Sequence, residues 1–272
     1  MTTLKHCPGY PSPFAALVDK SVVTAYPNDK FRVEWGPIFH RGRLDGTAQV
    51  LCIGQDPAAH ETFVRRILVG EAGQRVQGFL KKIGITRHYV MINASLYSEY
   101  GSGAAITNHV ESSPDVAAER APWIAAILAP KKVKLVLLFG GQAKACWTNY
   151  TAAHGGAPAG VAVVELAHPT SDSYGADGPQ KLVDSWNNAL KLIEPAPFHD
   201  VTPDFTQYAV ATYTAQVTEI PDFDLPAGLP TWMRALDTWA VRPDPAKVPD
   251  PSPPTPYKRA HLLVTVPATE IP

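Results

Sequence analysis

The chain has 272 residues, of which 45 % are hydrophobic and 18 % charged, enough apolar material to bury a core in one domain with additions or in two small ones. A net charge of −1 excludes the overall basic signature of a nucleic-acid binder and leaves only local basic patches. No run approaches the roughly 18 apolar residues of a membrane span, and the N-terminal MTTLKHCPGYPSP lacks the apolar centre of a secretory signal, so the expectation is a cytoplasmic protein with no membrane partner.

In chain order, residues 48–53 (AQVLCI) form an apolar run ending at Gly54 and are predicted as a strand. Residues 74–83 place Val76, Phe79, Leu80 and Ile83 on one helical face. Residues 88–92 (HYVMI) read as a second strand. Ser113-Pro114 has the form of an N-cap with proline at the first helical position, opening a helix to about Leu128 in which Pro122 is expected to kink or break the rod. Residues 133–139 (VKLVLLF) are a third strand, followed by Gly140-Gly141 and a short helix. Residues 161–166 (VAVVEL) are a fourth strand, and 179–193 a last helix burying Leu182, Trp186, Leu190 and Ile193.

Apolar strands alternating with helices imply an α/β fold with three layers, α/β/α, around a central, mainly parallel four-stranded sheet. In such sheets ligands sit at the carboxyl ends of the strands. Those ends carry Gln55-Asp56-Pro57, Asn93-Ala94-Ser95, Gly140-Gly141-Gln142 and His168-Pro169-Thr170. An aspartate, an asparagine and a histidine are thus offered to one cleft.

Beyond Glu194 the composition changes: residues 195–272 hold 15 of the 27 prolines, and five basic against nine acidic residues. The balance is −4 there and +3 in the first 194 residues. The reading is a catalytic domain over 1–194 and a Pro-rich C-terminal extension of unknown role over 195–272. Within the extension, YAVATYTAQVTEI (208–220) is β-like, TWMRALDTW (231–239) helical, LLVTV (262–266) strand-like, and 244–257 an extended polyproline-type linker. Basic clusters stand at Arg65-Arg66, Lys81-Lys82 and Lys131-Lys132-Lys134. Cys7, Cys52 and Cys146 are too few and too scattered for a disulfide framework or a four-thiolate site, and Cys52 reads as a buried thiol.

In this order the strand-end motifs resemble the uracil-DNA glycosylase superfamily. GQDP (54–57) is similar to the water-activating motif of the uracil-specific members. VGEAGQRVQGFLKKIGITRHYVMINA (69–94) resembles the segment of the thermostable-type members that leads to the base-reading asparagine. SPDVAAERAPWIAAILAPKKVKLVLLFGGQA (113–143) resembles the next helix–strand unit, and AHPT (167–170) the histidine-proline-serine motif. The resemblance covers about residues 45–193. It implies Asp56 and His168 as catalytic residues, Gln55, Ala58, Leu68 and Asn93 around the base, and Pro57, His60, Pro169, Thr170 and Ser171 at the DNA. There are departures. Ala58 stands where the uracil-specific members keep a tyrosine, Leu68 where the thermostable type has an aromatic before VG, and the four cluster cysteines of that type are missing. SDSYGADG follows from Ser171 in place of the usual DNA-inserting loop.

Hydrolysis of an N-glycosidic bond in DNA needs the base out of its stack. A carboxylate can orient water and stabilise the developing oxocarbenium ion, which suits Asp56. A neutral His168 can donate to the base carbonyl as the base leaves as an anion. An asparagine amide offers one donor and one acceptor, so Asn93 can meet uracil or cytosine. Ala58 and Ala59 remove the wall that rejects a 5-methyl group, and Leu68 reduces the stacking platform. The expectation is a monofunctional glycosylase acting on DNA with a pocket open to a 5-substituted pyrimidine, up to the glucosylated hydroxymethylcytosine of phage DNA. Gly-Ser-Gly in YGSGAA (100–105) offers room for such a group. No cofactor and no metal is called for, and protein partners are not indicated. The alternatives are a repair glycosylase for uracil or mismatched thymine, and a non-catalytic module that binds modified DNA.

Each residue also has a plainer reading. Asp56-Pro57 is an ordinary strand-end turn, Asn93 a cap, and His168 structural. Glu71 can be a helix N-terminal charge, His60 a surface helix residue, Tyr100 and Tyr174 surface aromatics, and the Lys131 cluster a solvated turn.

Overall fold

The computed structural model describes residues 9–20, 25–27, 30–99, 113–193, 199–234, 239–241 and 262–270. Tyr100, the YGSGAA stretch, Cys7 and the linker at 244–257 lie outside them. In chain order the elements are α1 (Phe14–Asp19), β1 (Arg41–Gly42), β2 (Val50–Gly54), α2 (Ala59–Val64), α3 (Glu71–Lys82), β3 (Tyr89–Asn93), α4 (Pro114–Leu128), β4 (Leu135–Phe139), α5 (Gly141–Ala153), β5 (Ala162–Leu166), α6 (Gly178–Ile193), β6 (Ala240–Val241) and β7 (Leu263–Val264). No described helix is long and apolar enough to cross a membrane.

The central sheet has five strands in the order β1-β3-β2-β4-β5. Four are parallel, as expected; the fifth, β1, is a two-residue antiparallel edge with Arg41 opposite Met91. It escapes prediction because two residues carry no periodicity. Alternation sorts the strand side chains into two cores. Leu51, Ile53, Val90, Ile92, Val136 and Leu138 face α4 and α5, against Trp123, Ile124, Ile127 and Trp147. Val50, Cys52, Met91, Leu135, Leu137 and Phe139 face α3 and α6, against Val76, Phe79, Leu80 and Trp186. Cys52 and Cys146 therefore belong to opposite faces of the sheet and cannot serve one metal cluster.

α4 runs through Pro122 without a break. The proline removes one backbone donor, but Val116, Arg120, Trp123, Ile124 and Ile127 are buried along the rod and hold it on the sheet. Pro114 takes the expected first-turn position, although the Ser113 side chain makes no capping bond.

The extension packs on the α3–α6 face. Tyr208 and Tyr213 enter that core, and Asn187 of α6 exchanges two hydrogen bonds with the Tyr208 backbone, at 2.7 and 3.0 Å. Asp200 accepts from the backbone N–H groups of Thr86, Arg87 and His88 and pairs with the His88 ring. These bonds overcome the cost of burial and hold its carboxyl at about 2. At Gly78 the extension presses so closely on α3 that a Cβ would stand 2.3 Å from the Gln216 carbonyl oxygen. The β-like 208–220 stretch forms no strand: it makes a turn and the 3-10 segment Tyr213–Ala215, with Tyr208 and Tyr213 packed on the α3–α6 core and Ile220 on the cluster around Ala59 and Trp239. Of the helical 231–239 stretch, Thr231–Arg234 form a 3-10 helix and 235–238 lie outside the described residues; Leu263–Val264 pairs with Ala240–Val241.

Candidate active site

β2 and β3 lie in parallel register with Gly54 opposite Asn93. A Cβ at Gly54 would stand 2.4 Å from Asn93 Oδ1, so only glycine leaves the asparagine side chain its place over the strand end. Past the strand ends the ladder continues: Ala94 N–H donates to Gly54 O and Ser95 N–H to Gln55 O, both at 3.0 Å. The chain then returns, and the Glu99 N–H donates to Asp56 Oδ2 at 3.0 Å. Glu99 is fully buried; its carboxylate accepts from Gln142 Nε2 of α5 at 2.9 Å, and Arg32 donates to its carbonyl oxygen. Asp56 is thus fixed by a backbone donor that is itself anchored in the core.

The end of β4 joins the same cleft. Gly140 has φ of +90°, and a Cβ there would lie 3.0 Å from Gln55 Oε1 and 3.2 Å from His168 Cβ. The glycine is required both by its backbone and by the two side chains it lets approach. His168 Nδ1 accepts the Thr170 backbone N–H at 3.3 Å and lies 3.1 Å from the Thr170 hydroxyl. Since a backbone amide can only donate, the neutral ring carries its proton on Nε2. Burial pushes the His168 pKa down to about 4, with Arg75 assisting and Asp56 and Asp172 opposing. The ring is therefore a neutral donor at physiological pH.

That shift has a testable pH consequence. The folded-state value lies below the ordinary 6.5, so the fold favours the neutral ring. The stabilisation is fully present above about 6.5 and is lost as pH falls through about 4. An NMR titration of His168 is expected to show its midpoint near 4, with the Nε2–H tautomer above it; a midpoint at 6.5 would contradict this environment.

Asn93 is 1 % exposed, and its Oδ1 has no hydrogen-bond partner among the described residues. A buried acceptor left open costs stability, and a base edge is the kind of group that satisfies it. Beside it stands Leu68, 6 % exposed, with Cδ1 3.6 Å from where a Gly54 Cβ would be. Leu68 has φ of +53°, a left-handed conformation that is strained for a branched side chain and is typical of ligand clamps. Gly73 makes it possible, since a Cβ there would overlap the Leu68 carbonyl oxygen at 1.6 Å. The buried Glu61 ties the two halves of this wall together, accepting from Ala58 N–H at 3.1 Å and Val69 N–H at 3.2 Å.

Gln55, Asp56, Leu68, Asn93 and His168 thus gather at one end of the sheet. Ala58 is exposed at the N-terminus of α2, while Ala59 is buried against Ile220, Trp239 and Ala240 of the extension. His60, expected at the DNA or on the helix surface, is turned inward: its ring meets Trp239 edge-on at 4.7 Å, and Ala240 N–H approaches Nε2 at 3.5 Å. An apolar surface on the extension has taken that side chain. Pro57 and Pro169 are buried, the hydroxyl of Thr170 is engaged by His168, and Ser171 begins the 3-10 turn Ser171–Ser173. Tyr174 is 56 % exposed just after this turn. Two of the basic clusters are partly consumed inside the molecule, Arg65 by the carbonyls of Trp35 and Pro37 and Lys82 by Asp204, whereas Lys131 and Lys132 are exposed.

The positioning residues Glu61, Arg75, Glu99 and Asp172 were not singled out from sequence. The one local signal that could have found Arg75 is its i,i+4 spacing from Glu71, with which it pairs at 2.6 Å. No curated protein matches the chain. The family model described as the Uracil DNA glycosylase superfamily matches residues 41–191. Those residues span all five strands of the central sheet and every residue of the cleft, and the chain belongs to the uracil-DNA glycosylase superfamily, a DNA glycosylase family whose substrate is DNA.

Proposed function

We propose that the protein is a monofunctional DNA glycosylase that flips a 5-substituted pyrimidine from DNA and leaves an abasic site. The observation that carries the reading is the open, buried acceptor of Asn93 set between Leu68 and the strand end that delivers Asp56. A flipped base entering there meets Asn93 with its N3–H or exocyclic amine. Asp56 directs water to the sugar carbon and stabilises its positive charge. His168 donates from Nε2 to the base oxygen. No lysine stands in residues 54–58, 93–99, 140–143 or 167–173, so attack on the sugar by an amine, the route to lyase activity, has no candidate. We assign Ser171 and the exposed Tyr174 to the rim that meets the DNA, whereas Pro57 and Pro169 are buried and serve that rim only as support.

Exposure of Ala58 supports the open pocket, since nothing at that position closes on C5 of the base. The glucosylated hydroxymethylcytosine of phage DNA is the largest base we assign to it, which makes the cellular role anti-phage defence in the cytoplasm. The test is base release from duplexes carrying uracil, thymine opposite guanine, 5-hydroxymethylcytosine or its glucosylated form. Release of a 5-substituted base is expected. Ala58→Tyr should then slow it by about 10–100-fold while sparing uracil, the usual range for steric discrimination in a pocket. Release of uracil alone by the unmodified chain would make it a uracil repair enzyme. Binding without release of any base would make it a non-catalytic module.

A further inference from the structure

The loop that carries His168 is gripped from two sides. Arg75 of α3 has a buried side chain and donates through Nη1 to the Pro169 carbonyl at 2.6 Å and to Asp172 Oδ2 at 2.9 Å. Its Nη2 donates to Glu71 Oε1 at 2.6 Å. Asp172 accepts a second bond, from the Tyr213 hydroxyl at 2.5 Å, and the Arg75 guanidinium lies 5.5 Å from the Tyr213 ring centre. Behind the turn, a Cβ at Gly178 would stand 2.5 Å from the Asp172 carbonyl oxygen, so α6 leaves it no slack. Pro169 and Asp172 bracket Thr170, whose backbone and hydroxyl hold the His168 ring. Tyr213 lies in the extension, outside the 41–191 span shared with the family.

We propose that the C-terminal extension completes the active site, with Tyr213 a positioning residue that holds His168 in place through Asp172 and Arg75. The proposal rests on the reading of His168 as donor to the leaving base. Charge-assisted bonds to a carboxylate are the strong ones, and Asp172 takes one from Arg75 and another from a phenol. Asp172 and Arg75 also act on the ring electrostatically, together with Asp56, the third charged group that faces it. A small displacement of a proton donor is enough to slow a reaction severely.

The experiment uses the full chain, the Tyr213→Phe variant, which loses a single oxygen, and Arg75→Lys, which keeps the charge but cannot bridge Pro169, Asp172 and Glu71 together. Imidazole ¹⁵N shifts report the tautomer and titration of His168. Amide exchange reports the 168–174 segment, and single-turnover assays the release of whichever base the unmodified chain excises. In Tyr213→Phe, faster exchange across this segment, a mixed His168 tautomer and about tenfold slower release at unchanged DNA affinity are expected. Arg75→Lys is expected to displace the His168 midpoint. If tautomer, midpoint and exchange are those of the unmodified chain in both variants, the clamp is wrong. The glycosylase reading is judged separately, by release from the unmodified chain. Altered His168 behaviour in a chain that releases nothing would uphold the clamp and reject that reading.

Discussion

Asp56→Asn is expected to slow single-turnover base release by about 10²–10⁴-fold, the range of a positioned acid–base group, with DNA affinity and melting temperature unchanged. The substitution keeps an oxygen for the Glu99 N–H, so the bond that fixes the side chain survives. What disappears is the negative charge that the proposed mechanism sets against the sugar. A neutral amide cannot stabilise an oxocarbenium ion, nor take up a proton from the attacking water. The assay needs a duplex that the unmodified chain cleaves, a melting curve and a binding isotherm on the same variant. An unchanged rate would remove Asp56 from the mechanism and return it to the role of a strand-end turn.

Asp224→Ala carries the largest expected cost to stability, about 3–5 kcal/mol, because it strands a buried cation. Arg41 on the edge strand β1 is fully buried and lies 3.0 Å from Asp224 Oδ2. It donates in addition to Gln77 Oε1 at 2.9 Å and Ile67 O at 3.1 Å, while the Tyr89 hydroxyl donates to Asp224 at 2.6 Å. Take the aspartate away and the guanidinium keeps only neutral acceptors, in a site closed to water. The melting temperature should fall on the order of 10 °C. The double variant Arg41→Met, Asp224→Leu should recover much of this, since a well-packed apolar pair avoids the desolvation cost of the ions. A fall of no more than a degree for Asp224→Ala would show that the pair adds nothing. The same ion pair reaches the cleft: Ile67, whose carbonyl Arg41 holds, directly precedes Leu68. Like Tyr213, Asp224 comes from the extension, so residues beyond the family match bond to groups on both sides of the cleft.

The sheet and its strand ends were legible in the sequence because their signal is local. Five-residue apolar runs ending in Gly54 or Asn93, and the helical spacing of Val76, Phe79 and Leu80, follow from backbone geometry alone. That reasoning placed Asp56, Asn93 and His168 at the carboxyl edge of one parallel sheet, and it also found Gly54 and Gly140 without their reasons. The reasons are tertiary. Gly54 is bare because the Asn93 side chain lies over it, and Gly140 because Gln55 and His168 close in on it.

Other features carried no readable local signal. The edge strand β1 is too short for periodicity, and His60 reads as a surface residue until Trp239, some 180 positions later, covers it. The bonds of Asp200, Asp224 and Tyr213 to the part matched by the family join residues 41–183 positions apart. What the sequence determined by itself is the alternation of strands and helices and the chemistry at the strand ends. Only the tertiary structure decided which side chains hold that chemistry in place, because a buried charge such as Arg41 or Arg75 takes whatever partner the packed chain brings within reach, and sequence distance does not enter its energy.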